Sequence, residues 1–336
     1  MNICVLGAGT WGTALAIVLA ENGHRTVLWS AIPEELDALA SSGTHPNLAG
    51  AVIPDTVIYE KDAQAACRGA EVILFVTPSS FIRSTAAKVA PYIDEGTILV
   101  SAAKGIERDT LKFMTEIIED EVRAARPELG FTVAALSGPT HAEEVAKRLP
   151  TSIVAACEDE EKSKLIADAF RGSCMRVYTN TDVRGVELSG SLKNIVAIAA
   201  GILHGMELGD NALAMLMTRG AAEITRMGLA IGCKRRTFMG LAGIGDLIVT
   251  CTSRHSRNNR CGEMIGRGAS YEEAAAKIGM VVEGYHALEA AMLLSRKNGI
   301  EMPITEAVYD VIFNGVTPKD AMARLMSRDF KNEIED

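Results

Sequence analysis

The sequence predicts an α/β fold, in which a Rossmann-like doubly wound domain is followed by an all-α C-terminal domain. Three observations carry this prediction. A glycine-rich turn directly follows the first apolar strand, and short apolar strands then alternate with amphipathic segments through the first half of the chain. Beyond about Thr179, strand-like runs nearly vanish and helical patterns replace them. We therefore expect a dinucleotide-binding Rossmann domain over 1–181 and a helical substrate-binding domain over 182–336.

The glycine turn is the first candidate site. The strand 2–6 leads straight into Gly7-Ala-Gly-Thr-Trp-Gly12, and a helix rich in alanine and leucine follows. In this context Gly7 permits a tight turn, Gly9 lets a pyrophosphate approach the backbone, and Gly12 lets the helix pack close to the strand. The free N–H groups at the helix start favour the phosphates. A glycine turn without a ligand is the alternative, and the strand and helix on either side disfavour it.

Seven apolar segments are predicted to form a parallel sheet that is buried on both faces. They are 2–6, 25–29, 72–76, 97–102, 131–136, 152–156 and 174–178. Six segments after the boundary are predicted helices, two of which start with proline. They are 182–205, 211–231, 271–278, 284–298, 303–313 and 318–327.

Composition restricts the class of protein. The 336 residues are 48% apolar and 23% charged, which is ordinary for a globular protein, and the net charge of −9 disfavours nonspecific nucleic-acid binding. Seven scattered cysteines and six histidines show no metal-ligand spacing, so we expect no metal site and reduced thiols. No apolar run is long enough for a membrane span, and the first strand leaves no room for a signal peptide. A cytoplasmic enzyme is the simplest class.

Small, hydroxyl-bearing and cationic residues follow several predicted strands. Thr77-Pro-Ser-Ser80, Ala103-Lys-Gly105 and Ser137-Gly-Pro-Thr140 each come directly after a strand. Ligands of open α/β sheets bind at these carboxyl ends. Such residues suit a phosphate-rich ligand that crosses the edge of the sheet.

Lys193 is the main candidate outside the glycine turn. On a helix, Ser189, Gly190, Asn194 and Ala197 share its face, which is small and polar within apolar surroundings. Burial there would lower the pKa of the ammonium and favour proton exchange near neutral pH. A lysine that snorkels from a buried helix explains the pattern equally well.

Three further candidates have structural alternatives. Lys104 follows a core strand, where a surface lysine in a salt bridge is as good an explanation as a ligand contact. Asp246 follows two glycines and suits the orientation of a lysine or a substrate hydroxyl, although a helix N-cap is common in this setting. The hydroxyl, guanidinium and amide of Ser256-Arg-Asn258 suit a phosphate, whereas the basic run 253–260 taken alone favours a solvated loop.

Taken together and in order, these segments resemble NAD(P)-dependent glycerol-3-phosphate dehydrogenase of the bacterial type over nearly the whole chain. The motifs that carry the resemblance are GAGTWGTALA (7–16), AKGIE (103–107), SGPTHAEE (137–144), GVELSGSLKNIVAIAAG (185–201), TRG with a following glutamate (218–223), GLAGIGDLIVTC (240–251), SRNNR (256–260), VVEG (281–284) and MPI (302–304).

The resemblance implies reduction of dihydroxyacetone phosphate to sn-glycerol 3-phosphate with NADH or NADPH, for phospholipid synthesis. It implies that Lys193 is the proton donor or acceptor at the C2 oxygen and that Lys104 contacts both substrate and cofactor. The implied substrate site is Lys104, Gly138, Thr140, Lys193, Asp246, Ser256, Arg257 and Asn258. The predicted dinucleotide contacts are Gly7, Gly9, Thr10, Trp11, Gly12, Lys104, Ala142, Arg257, Val281 and Glu283. A homodimer is a possible assembly.

The segment after the second strand departs from the family pattern. Ser30 and Ala31 stand where an NAD site usually has an acidic residue and an NADP site an arginine, with Glu34 and Glu35 a turn later. We expect dual use or a lean toward NAD. Two rival functions remain on this architecture, a reductase for 2-keto acids, 3-hydroxy acids or acyl-CoA and a non-catalytic NAD sensor.

Overall fold

The computed structural model describes residues 1–329, 332 and 333, and part of the polar tail, 330, 331 and 334–336, lies outside the described residues. Its first half forms one eight-stranded sheet in the order β3-β2-β1-β4-β5-β6-β7-β8. The strands are β1 Asn2–Leu6, β2 Arg25–Trp29, β3 Ile58–Glu60, β4 Val72–Phe75, β5 Ile98–Ser101, β6 Thr132–Ser137, β7 Thr151–Ala156 and β8 Met175–Asn180.

All seven predicted strands are confirmed, and two details differ. The short edge strand β3 went unpredicted because its three residues, Ile-Tyr-Glu, form no apolar run. The sheet is also mixed, since β7 pairs antiparallel with β6, whereas the prediction was parallel. The connection 138–150 contains a short helix that packs against the first helix of the fold instead of crossing over the sheet, so the chain returns in the opposite direction.

Seven helices accompany the sheet. They are α1 Thr10–Glu21, α2 Pro33–Ser42, α3 Ala63–Cys67, α4 Ile82–Val89, α5 Met114–Ala125, α6 Ala142–Ala146 and α7 Glu160–Ala169. The side chains of β1, β2, β4 and β5 alternate between two cores, so that Val5 and Leu28 pack on one face of the sheet and Leu6 and Val27 on the other. This burial of both faces explains the nearly continuous apolar runs.

The second half is helical, as predicted. Its helices are α8 Val183–Gly205, α9 Gly209–Ala230, α10 Arg235–Phe238, α11 Asp246–Thr252, α12 Arg257–Gly266, α13 Tyr271–Ile278, α14 Glu283–Asn298, α15 Pro303–Phe313 and α16 Pro318–Met326. The solvated loop favoured for 253–260 is wrong in its second part, because Ser256 caps the N-terminus of α12 and the helix starts at Arg257. Helices α10 and α11 were also unpredicted.

Helix α8 is the centre of the helical half. Of the helices that the structure describes, it is the one long and apolar enough to cross a membrane, but 94% of that stretch is buried inside the protein, as expected of a core helix. Glycines bring α12 into backbone contact with it. A Cβ at Gly201 would lie 1.9 Å from the carbonyl oxygen of Asn259, and one at Gly262 would lie 2.0 Å from that of Ile198. The start of α12 lies beside Asn194, the residue after Lys193 in α8, through a hydrogen bond from Asn258.

Candidate active site

The glycine turn between β1 and α1 has the geometry that a dinucleotide requires. Gly7 has φ +125°, and a Cβ at Gly12 would lie 1.9 Å from the carbonyl oxygen of Gly7. Both positions therefore require glycine. A Cβ at Gly9 would meet no atom within 4 Å, so open space lies over the turn. Gly9 starts α1 without a side-chain cap, which leaves the first N–H groups of the helix free for an anion.

Two buried hydroxyls beside this turn fit the same ligand. The Oγ1 atoms of Thr10 and Thr77 have no hydrogen-bond partner among the described residues. Thr77 follows β4, and a Cβ at Gly7 would lie 3.0 Å from its backbone nitrogen. Buried hydroxyls without partners are costly unless a ligand or water satisfies them. The turn, the open space and these hydroxyls together fit the pyrophosphate of NAD or NADP.

The sheet and the helical half meet at one buried carboxylate, that of Asp246. Lys193 Nζ lies 2.8 Å from Asp246 Oδ1, and Lys104 Nζ lies 2.6 Å from Asp246 Oδ2. Lys104 also donates to the carbonyl oxygen of Gly138 at 3.2 Å, and Lys193 donates to Thr250 Oγ1 at 2.6 Å. The structure thus brings four predicted residues together: Lys104, Gly138, Lys193 and Asp246. Lys193 is buried on Asp246 instead of snorkelling from its helix, and Lys104 forms its salt bridge with the same buried carboxylate, while their contacts with a ligand stay predictions.

Burial and charge oppose each other at this cluster. Burial lowers the pKa of Lys193 to about 8, and the nearby Lys104 acts in the same direction, while Asp246 opposes both. Burial would raise the pKa of Asp246, but the ammonium groups of Lys104 and Lys193 overcome it, and the pKa lies below its usual value. The carboxylate is therefore ionised at neutral pH, and Lys193 exchanges its proton close to neutrality.

Local structure explains why these groups meet. A π-helical turn, Leu241–Gly245, precedes α11 and places Asp246 at the first position of the helix. On the facing helix, a Cβ at Gly190 would lie 3.3 Å from Lys104 Cγ and 2.9 Å from Ser137 Oγ. Glycine at position 190 lets the side chain of Lys104 pass across α8 toward Asp246. The alternative explanation of Asp246 as a helix N-cap does not hold, because Gly245 is the N-cap of α11 and the carboxylate of Asp246 binds the two lysines.

The polar residues at the start of α12 divide into two groups. Ser256 Oγ accepts from the backbone N–H of Asn259 at 3.2 Å and caps the helix. Asn258 bridges two helices, since its Nδ2 donates to Asn194 Oδ1 at 3.0 Å and its Oδ1 accepts from Gly284 N at 2.9 Å. Arg257 is the member whose side chain is less engaged, with Nη1 donating to the carbonyl oxygen of Val281 at 3.1 Å.

The remaining predicted residues lie in loops or at the first positions of helices. Thr140 donates to the carbonyl oxygen of Gly138 at 3.2 Å, and Ala142 is the first residue of α6. Glu283 begins α14, and its carboxylate accepts from Ser79 N at 3.1 Å and from Ser79 Oγ at 2.5 Å. The structure thus engages Glu283 with a segment after β4, while its predicted dinucleotide contact stays a prediction.

Sequence reasoning missed Thr250 and His141 as polar groups of the site. Thr250 Oγ1 lies between Lys193 and the carbonyl oxygen of Asp246, to which it donates at 2.6 Å. The spacing of four residues from Asp246 would have indicated it, had a helix been predicted there. Ser137 Oγ, Ser189 Oγ and His141 Nε2 are buried without a partner among the described residues. No group of three or more metal-binding side chains occurs in the part of the chain that the structure describes.

Comparison with known proteins agrees with this architecture. The model of the N-terminus of NAD-dependent glycerol-3-phosphate dehydrogenase matches residues 2–163, and the model of its C-terminus matches residues 182–323. The chain is 50% identical over 333 residues to glycerol-3-phosphate dehydrogenase [NAD(P)+] 2 of Lactobacillus delbrueckii subsp. bulgaricus, covering 99% of each chain. It is 47% identical to the enzyme of Moorella thermoacetica, over 99% of this chain and 98% of the other.

A solved structure gives the same result. The crystal structure of glycerol-3-phosphate dehydrogenase from Coxiella burnetii superposes with a TM-score of 0.91 at 38% identity, over 97% of this chain and 99% of the other. A glycine turn shaped for a dinucleotide, a lysine pair on one buried carboxylate, and family models that match both halves all agree. The chain belongs to the NAD-dependent glycerol-3-phosphate dehydrogenase family.

Proposed function

We propose that this protein reduces dihydroxyacetone phosphate to sn-glycerol 3-phosphate with NADH or NADPH, reversibly, and that Lys193 transfers the proton. The observation that carries the proposal is the contact of Lys193 and Lys104 with Asp246 at the carboxyl edge of the sheet. Names of full-length relatives at 44–50% identity support the substrate and the cofactor class.

The chain's own residues account for the proton and for the charge at C2. When bound, the reduced nicotinamide supplies a hydride to C2, and negative charge grows on the carbonyl oxygen. Lys193 stabilises that charge and donates its proton, which completes the alcohol. The ionised Asp246 keeps both ammonium groups in place, and Lys104 adds a second positive charge. The neutral amine of Lys193 that results stays hydrogen-bonded to Thr250.

A direct assay tests the activity. We expect the protein to oxidise NADH or NADPH, followed at 340 nm, when dihydroxyacetone phosphate is added. Parallel reactions with 2-keto acids and acyl-CoA test the rival reductases, and they should give little turnover. Dinucleotide binding without turnover of any keto substrate would instead support the sensor.

The predicted phosphate contact needs a separate test. We propose that Arg257, supported by Ser256 and Asn258, binds the substrate phosphate, so that this remote binding energy orients C2. Arg257→Ala should then lower kcat/KM for dihydroxyacetone phosphate by about 10²-fold, in line with the loss of a hydrogen bond to a charged group. Activity on unphosphorylated dihydroxyacetone should barely change. Arg254→Ala, an exposed arginine three residues earlier, is the matched control. Equal losses on both substrates would contradict the role.

Three broader inferences complete the proposal. By family resemblance, the product supplies phospholipid synthesis, the protein is cytoplasmic, and it assembles as a homodimer. Size-exclusion chromatography with light scattering measures the assembly. The net charge of −9 disfavours nonspecific binding of nucleic acid, and it is compatible with a local basic site for a small anionic substrate.

A further inference from the structure

A carboxylate is held at the end of β2, beside the glycine turn. Ser30, which is 5% exposed, directly follows β2. Its Oγ donates to Glu35 Oε2 at 2.7 Å and accepts from the backbone N–H of Ile32 at 3.1 Å. Glu35 belongs to the first turn of α2. The side chain therefore folds back from the helix toward the strand end, although Glu35 comes five positions after Ser30.

This strand end is next to the site proposed for the pyrophosphate. β2 pairs with β1 in parallel, with Leu6 opposite Trp29, and Gly7 N donates to the carbonyl oxygen of Trp29 at 2.8 Å. In this type of fold the adenosine ribose lies at the end of the second strand. An acidic side chain there accepts the ribose hydroxyls of NAD, while an arginine there binds the 2′-phosphate of NADP.

We propose that Glu35, anchored by Ser30, accepts the 2′-hydroxyl of the adenosine ribose and makes this protein select NADH over NADPH. The proposal rests on the proposed function, because it assumes that a dinucleotide binds at the glycine turn. The proposal explains how a site with the neutral residues Ser30 and Ala31 after β2 can still bind the ribose hydroxyl. The sequence lacks an acidic residue directly after β2, and the structure supplies one from the following helix.

The charges around Glu35 support selection against a 2′-phosphate. Glu34 lies next to it in the first turn of α2, and Asp37 follows. Lys61 comes directly after β3, the neighbour of β2, but its Nζ pairs with Asp37 Oδ1 at 2.6 Å. Burial lowers the pKa of the nearby His45 in spite of Glu35, so this imidazole is neutral at pH 7. A 2′-phosphate, with nearly two negative charges, would meet a carboxylate here.

Binding measurements test the proposal independently of catalysis. Dissociation constants of NADH and NADPH are measured by fluorescence titration, and those of ADP and 2′,5′-ADP by calorimetry. The wild type should bind NADH at least about tenfold more tightly than NADPH, the size of one charge-assisted contact. Glu35→Gln should reduce the ratio of the NADPH and NADH dissociation constants about tenfold, because it weakens the binding of NADH and relieves the repulsion of NADPH. Glu34→Gln removes the adjacent carboxylate, which is exposed like Glu35 but is not the one that Ser30 anchors, and it should leave the ratio within about twofold, as expected of a screened surface charge.

Each other outcome is decisive. A wild type that binds NADPH as tightly as NADH or more tightly, or equal shifts in Glu35→Gln and Glu34→Gln, would overturn the role of Glu35. In either case both dinucleotides still bind, so the proposed function survives. If the folded wild type binds neither dinucleotide, the proposed function itself fails. Thermal unfolding of each variant confirms that the compared proteins are folded.

Discussion

Lys193 and Lys104 place two ammonium groups on the two oxygens of one buried carboxylate, that of Asp246. One carboxylate cannot fully compensate two desolvated cations, so the cluster is poised to lose a proton or to gain an anion. Lys193, the more deeply buried of the two lysines, is the one whose pKa falls to about 8. A substrate oxygen that gains negative charge would supply the missing countercharge, and this makes the cluster suited to carbonyl reduction.

Replacement of Lys193 separates its chemical role from cofactor binding. Lys193→Ala should lower kcat for dihydroxyacetone phosphate reduction by about 10²- to 10⁴-fold, as is typical for loss of a general acid. The dissociation constant of NADH should change little, because the glycine turn lies elsewhere. Steady-state kinetics and fluorescence titration measure the two quantities. A variant that keeps more than half of the wild-type kcat would show that another group donates the proton.

The lowered pKa of Lys193 also predicts how kcat/KM changes with pH in each direction of the reaction. Reduction needs the ammonium form, so kcat/KM for dihydroxyacetone phosphate should fall as pH rises above about 8. Oxidation of sn-glycerol 3-phosphate needs the neutral amine, so kcat/KM in that direction should rise with pH and level off above the same value. Profiles from pH 6 to 10 in both directions check this. Two profiles that change in the same direction through this range would contradict the assignment.

At the scale of elements, buried glutamates join helices that are distant in sequence. Glu187 of α8 accepts from Thr115 N at 3.0 Å and from Thr115 Oγ1 at 2.5 Å, at the first turn of α5. Glu223 of α9 does the same for α15, where it accepts from the backbone N–H groups of Ile304 and Thr305. Each carboxylate satisfies helix N-terminal donors that would otherwise be orphaned. These bonds tie α8 to α5 and α9 to α15.

The capping by Glu187 should make stability depend on pH. Burial raises the pKa of Glu187 to about 7, so folding favours its protonated form. Protonated Glu187 therefore contributes roughly 3 kcal/mol to the free energy of unfolding below about pH 4.5, the usual pKa of the group. This contribution is lost as pH rises to about 7. Gln at position 187 keeps the hydrogen bonds without titrating.

Denaturant unfolding at several pH values measures this contribution. The stability of Glu187→Gln relative to the wild type should increase as pH rises from 4.5 to 7.5. Glu119→Gln, on the exposed side of α5, is the control for loss of a surface carboxylate. A constant difference between Glu187→Gln and the wild type over this range would show that Glu187 stays ionised in the folded state.

Elements with strong periodicity could be predicted from the sequence, and those set by tertiary contacts could not. The apolar strands and the long helices α8, α9 and α14 all appear close to their predicted bounds. Helix α12 was missed because its polar residues gave no helical pattern. Its position depends on Gly262, which packs against the backbone of α8. Likewise, the antiparallel direction of β7 depends on how α6 packs against α1 and not on the residues of the strand.

At the scale of the whole molecule, the site lies between the sheet and the helical half. Lys104 comes from the loop after β5, whereas Asp246 and Lys193 come from α11 and α8. The residue types at these positions could be predicted from motifs, but their mutual contacts could not, because no sequence spacing relates residues 142 positions apart. The Thr250 contact was missed because no helix was predicted over α11. The contact of Glu35 with Ser30 was missed because the start of α2 was not predicted.

A second connection between the two halves leads to the last prediction. Glu283 of α14 binds Ser79 after β4 through two hydrogen bonds, and Glu289 of the same helix pairs with Arg108 at 3.4 Å on a more exposed surface. Glu283→Gln should lower the free energy of unfolding by about 1–3 kcal/mol, since it weakens hydrogen bonds to a charged group. Glu289→Gln, the matched control, should cost at most about 1 kcal/mol, as exposed pairs do.

Ser79→Ala then distinguishes the two roles proposed for Glu283. This variant removes the hydroxyl donor but leaves the carboxylate in place. If Glu283 also contacts the dinucleotide, Glu283→Gln should weaken NADH binding by more than Ser79→Ala does, by about tenfold for a charge-assisted contact. If Glu283 only joins the two halves, the two variants should weaken NADH binding equally. Fluorescence titration of NADH is carried out on both single variants and on the double variant. If the pair is purely structural, the double variant should bind NADH as tightly as either single variant, because the two side chains act through one contact.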